Sequence, residues 1–303
     1  MTDAPPPRPP AAQAPSSPFS IARPGWEPIP VVVQDAERKR RTRLYAMLLT
    51  EYAVVLAVAE ILLALANQSG DGTLALIGLV LDVFLVVSLP IEASRFAATD
   101  APFASFLGAL MLPPMLRAVT LSTPVSLFTQ TEWLLVVSVP LLLAVASMMR
   151  ALRLRPQDIF LGIGRRQLLA VNVTFAAAGA AFGFAEFRLL HPQAWVDALG
   201  SSQLAFAGIA VFLATGLAEE LIFRGLLLRT GTRFLGTRAG LVYVTVVFAI
   251  LNAGFLSLPD LALVFVFGLV AGIVVLVTRC VWGAVFAHTI ANVLLYLVLP
   301  FGL

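Results

Sequence analysis

The stretch "GLAEELIFRG", residues 216–225, brings Glu219, Glu220 and Arg224 to the end of the apolar run "LAFAGIAVFLAT". Four residues separate Glu220 from Arg224, so on a helix they share a face and form an ion pair. Glu219 is turned about 100° away, and the position four residues on is Phe223, which offers it no charge. One carboxylate is thus held by the arginine and the other is left over. A free carboxylate beside an apolar pocket is the kind of group that takes a proton from water as a general base. The blander account has both glutamates reaching to the membrane surface beside Arg224.

Further polar residues keep company with this trio. "VFAHTIANVLL" carries His288 and Asn292 four residues apart, on one helix face, with the small residues Ala287 and Ala291 beside them. That pairing is expected to line a cavity. "VVFAILNAGF" places Asn252 in an otherwise apolar run. Ionisable residues inside membrane helices are functional candidates by default. Three helices that pack in sequence can bring these side chains to one pocket.

The elements that must position them are membrane helices. Of 303 residues, 59% are hydrophobic and 12% charged, and the mean hydropathy is +0.93. Soluble domains carry about 25% charged residues. The apolar blocks run to roughly 20 residues, enough to cross a bilayer as helices. Nine spans are expected, near 44–66, 73–93, 102–121, 132–150, 168–186, 203–228, 239–257, 259–278 and 281–300. Pro113, Pro114 and Arg117 mark the third as kinked or re-entrant. The fold class is therefore an all-α, polytopic membrane bundle. Residues 1–35, rich in Pro, Ala and Ser, are expected to be a disordered tail without a cleavable leader.

Charge sets the orientation. "AERKRRTR" before the first span holds five basic residues, the 150–166 connection five, and the segment after the sixth span four. The opposite loops hold one between them, Arg188. Nine spans with the N-terminus cytoplasmic and the C-terminus outside satisfy this bias throughout. A net charge of +3 distributed over loops gives no basic face for nucleic acid, and a single cysteine, Cys280, excludes an internal disulfide.

Taken together, these motifs resemble the CPBP intramembrane protease family, which includes the CAAX prenyl endoproteases and bacteriocin-immunity-type homologues. The family's EExxxR motif reads Glu219-Glu220-Leu221-Ile222-Phe223-Arg224, and its His with an Asn four residues on reads His288 and Asn292. Its FxxxH motif reads Phe248-Ala249-Ile250-Leu251-Asn252, with asparagine in place of histidine. The resemblance covers residues 165–303, as a protease core behind N-terminal helices at 36–164. It implies that Glu219 activates water, that Glu220 and Arg224 fix that helix end, and that His288 and Asn292 donate to the oxyanion. It also raises a divalent metal such as zinc, held by Glu219 and His288. Asn252 weakens that, because an amide is a poor zinc ligand and takes no proton at neutral pH. The implied partners are a membrane-anchored or lipid-modified peptide or protein and the lipid bilayer, in the plasma (inner) membrane. Pro, Ala and Arg usage points to a high-GC bacterium.

Two other functions compete. A catalytically degenerate relative would bind or scaffold another membrane protein, which is the reading Asn252 motivates. A transporter would use Glu51, Glu60, Asp82 and Arg117 within the spans, although no internal repeat accompanies them. A Glu–Arg pair inside the bundle is the simpler expectation for those charges. Small residues at four-residue spacing in "FAAAGAAFGF", residues 175–184, are expected to let two helices approach closely.

Overall fold

A computed structural model describes residues 31–302, which are helical, with no strand among them. The tail expected over 1–35 lies, up to position 30, outside the described residues. The helices are α1 Val31–Ser69, α2 Gly72–Phe96, α3 Ala101–Leu110, α4 Leu112–Ser122, α5 Gln130–Ala151 and α6 Leu169–Leu190. They are followed by α7 Ser201–Val211, α8 Leu228–Leu235, α9 Thr237–Leu251, α10 Leu258–Thr278 and α11 Trp282–Val293.

Their starts follow from local chemistry. Asp71 accepts from the backbone N–H of Thr73 at 2.8 Å, and Asp100 from that of Phe103 at 3.1 Å. Thr129 and Glu132 cap α5 reciprocally, satisfying amides that the helix itself leaves free. Each span then sorts its faces. In α2, Gly78, Asp82, Leu85 and Leu89 are buried at spacings of three and four, while Leu76, Val80, Val83, Phe84 and Val87 point outward. An exposed apolar face of this width suits lipid rather than water.

Eight helical segments among the described residues are long and apolar enough to cross a membrane. The third expected span is one of them, Ala101–Ser122, broken at Met111 where α3 ends and α4 begins ahead of Pro113 and Pro114. The seventh expected span, 239–257, is shorter than anticipated. Its helix α9 stops at Leu251 after 15 residues, about 22 Å of rise against a hydrocarbon core of about 30 Å. Asn252 closes it, and a single 3₁₀ turn over Ala253–Phe255 follows. The sixth is correspondingly long, Ser202–Leu235.

Two close approaches bring the chemistry together. A Cβ on Gly179 would overlap the Ala287 carbonyl, and one on Gly183 the Ala291 carbonyl. The small-residue stripe of α6 therefore seats α11 backbone against backbone. Ala287, expected to border a cavity, is instead fully buried in this contact. On the other side, a Cβ on Gly216 would strike Thr289 Oγ1. Gly216 thus lets the sixth span lie against α11 one turn before Glu220.

Candidate active site

Between α7 and α8 the sixth span is π-helical, over Phe212–Glu219 and again over Leu221–Leu227. Widened turns of this kind are frequent at functional sites. The two glutamates leave this segment in different directions. Glu219 is half-buried and faces a cavity of about 530 Å³. Glu220 is wholly buried behind it.

Glu220 is the centre of a charged cluster. Its Oε1 accepts from Arg224 Nη1 at 2.8 Å and lies 2.9 Å from His288 Nδ1. Arg224 is 2% exposed, and its guanidinium sits 4.0 Å from the centre of the Phe248 ring. Ion pairing plus a cation–π contact gives a buried arginine the partners that water no longer provides. Gly268 makes room for this stack, since a Cβ there would lie 2.9 Å from the Phe248 ring. Phe248 is also edge-on to the His288 ring at 6.0 Å. The phenylalanine of the second motif therefore braces both the arginine and the histidine.

With Nδ1 held by the carboxylate, His288 keeps Nε2 for the cavity, which it lines together with Glu219, Asn252 and Asn292. These four residues come from the sixth span, the end of α9 and α11. Asn252 Nδ2 donates to the Phe248 carbonyl at 2.8 Å, so its amide oxygen is the atom left over. Glu219 has no hydrogen bond or salt bridge among the described residues, and lies within electrostatic reach of His288 and Arg117.

Arg117, known from the sequence only as an intramembrane charge, lines the same cavity. Its Nε and Nη2 bind both oxygens of Glu60 at 2.8 and 2.7 Å, and Nη2 also donates to the Leu251 carbonyl at 2.6 Å. The expected Glu–Arg pair is thus Glu60–Arg117, whereas Glu51 is exposed. Asp82 is fully buried, and neither of its carboxylate oxygens has a partner among the described residues.

Sequence reasoning also missed Glu186, Asp260 and Tyr296, which line the cavity. Glu186 stands at the rim of the expected 168–186 span, where an ionisable residue is a signal in itself. Asp260 was hidden in "SLPD", whose turn character explained it away.

The donor set does not suit the zinc ion that the resemblance raised. No group of three His, Cys, Asp or Glu residues among the described residues is arranged to hold a metal. Glu219 and His288 supply two ligands, Asn252 contributes an amide, and a catalytic zinc takes three good protein ligands.

Against known families, residues 201–294 match the model described as type II CAAX prenyl endopeptidase, Rce1-like. The match is a likeness over about a third of the chain, in the part that resembles the CPBP proteases. It contains all three motifs, from Glu219 to Asn292. The matched family is one of proteases, and the eight apolar spans among the described residues mark the chain as an integral membrane protein. No curated protein matches the chain, and no solved structure does.

Proposed function

We propose that the protein is an intramembrane endopeptidase that hydrolyses membrane-anchored or lipid-modified peptides with a glutamate-activated water. The convergence of Glu219, Asn252, His288 and Asn292 on one cavity of about 530 Å³ carries the reading. Glu219 takes a proton from water as the oxygen attacks the peptide carbonyl carbon. His288, as the imidazolium, donates through Nε2 to the developing oxyanion, and the Asn292 amide donates beside it. The C–N bond then breaks, and the proton held by Glu219 passes to the leaving amine. Glu220 and Arg224 are positioning residues: Glu220 accepts from Nδ1 of the His288 imidazolium and fixes the angle of its ring, and Arg224 holds Glu220 in place. Asn252, standing where the family has histidine, accepts a hydrogen bond from the water through its amide oxygen. No step requires a metal.

The membrane is the plasma membrane of a bacterium in this reading, with the N-terminus cytoplasmic. The experiment is cleavage of an acylated or prenylated peptide by purified protein in proteoliposomes. Glu219→Gln should lower kcat about 10²–10⁴-fold, the range for a lost general base, without changing thermal stability. Equal cleavage by wild type and variant overturns the mechanism. Asn252 itself motivates the second reading, a non-catalytic binding protein. Activity that appears only in Asn252→His would establish it.

A further inference from the structure

The cavity carries two further carboxylates that the hydrolytic machinery leaves unused. Glu186, near the end of α6, and Asp260, in the first turn of α10, both line it. Asp260 is 2% exposed, yet its Oδ1 is buried without a partner among the described residues. Glu186 has no hydrogen bond or ion pair among them either, and the two carboxylates lie within electrostatic reach of one another. The basic group within electrostatic reach of Glu186 is His288, and that imidazole is already held by Glu220.

Two other buried carboxylates are paired, Glu60 with Arg117 and Glu220 with Arg224, whereas Asp82, outside this cavity's lining, is without a partner among the described residues. A buried carboxylate without a cation is costly, and here buried Asp260 lies within electrostatic reach of half-buried Glu186 in one cavity. Beside them stand Trp195 and Tyr296, stacked with ring centres 3.8 Å apart and lining the same space. Carboxylates together with aromatic rings make a site for an ammonium or guanidinium group. A metal ion is the wrong occupant, because a third strong donor is missing.

We propose that Glu186 and Asp260 form a specificity subsite for a lysine or arginine side chain of the bound peptide, with Trp195 and Tyr296 covering its aliphatic stem. The proposal rests on the cavity being a peptide site. The long apolar stem of such a residue suits the aromatic wall, and its charge supplies the counterion that the two carboxylates lack. Glu219, which also lines the cavity, is left for the scissile bond.

The test uses apolar octapeptides in lipid nanodiscs, each carrying one lysine moved through successive positions, with norleucine peptides as neutral partners. For wild type, the best-placed lysine should raise kcat/KM about tenfold or more over norleucine, the scale of a charge-assisted hydrogen bond. In Glu186→Gln and Asp260→Asn that ratio should fall toward one. Binding of the same peptides to Glu219→Gln, followed by Trp195 fluorescence, should show the same preference without any turnover. Equal handling of lysine and norleucine at every position overturns the subsite, as does a ratio unchanged in both variants or no binding of any peptide. Lysine-selective binding without cleavage would sink the hydrolase reading and keep the subsite. Cleavage without selectivity does the reverse.

Discussion

One oxygen atom, Glu220 Oε1, organises the chemistry by serving Arg224 and His288 together. Removing either partner leaves a charge buried without its counterpart, and that asymmetry separates structural from catalytic roles. Arg224→Ala should cost about 3–5 kcal/mol of stability, the price of a buried carboxylate stripped of its cation, seen as a fall in thermal unfolding temperature. Glu220→Gln keeps an acceptor for His288 Nδ1 but withdraws the negative charge that favours the imidazolium. It should lower kcat about 10–100-fold, less than the loss of a whole oxyanion donor, with KM unchanged. A parallel rise in KM would place Glu220 in substrate binding instead. The i, i+4 relation of Glu220 and Arg224 was legible in the sequence because helix periodicity alone dictates it. The histidine as third member was not, since 68 residues separate Glu220 from His288 and only tertiary packing joins them. Arg117 was legible as an intramembrane charge, but its place in the cavity was not, for the same reason.

At the scale of elements, α6 and α11 matter most. Lipid provides no hydrophobic drive between helices, so their association rests on close packing of small residues. Gly179 and Gly183 meet the carbonyls of Ala287 and Ala291, and the latter two flank His288 in sequence. Any side chain at Gly183 must push α11 away and carry His288 and Asn292 from Glu219. Gly183→Leu should therefore abolish cleavage and lower the unfolding temperature. Gly208→Leu, whose site is open space, should leave both near wild type. The stripe was visible in the sequence as a packing motif, but which helix it receives is a property of the fold. The sequence also marked the break in the third span, through its prolines. The early end of α9 was obscure, because residues 253–257 are apolar enough to extend a hydropathy window while the backbone has already turned.

For the whole molecule, the short α9 bears directly on topology. Eight full spans would return the chain to its starting side, whereas nine crossings leave its end opposite. In the proposed orientation the basic residues of the 150–166 and 224–238 segments lie on the cytoplasmic side. From there the proposed topology needs three crossings after Arg238, the first of them by α9 with only about 22 Å of helix. The 3₁₀ turn at Ala253–Phe255 and the start of α10 at Leu258 keep its far end inside the hydrocarbon depth, where irregular backbone is tolerated only beside protein or a water-filled cavity. Asn252 and Phe255 line that cavity, so in the proposed topology the shortened crossing would open the site toward water. Alkaline phosphatase fused after Leu303 should then be active, and fused within 156–166 inactive, with a fluorescent-protein fusion giving the reverse pattern. Activity at both points, or at neither, would mean that α9 does not cross and that the cavity opens on the other face.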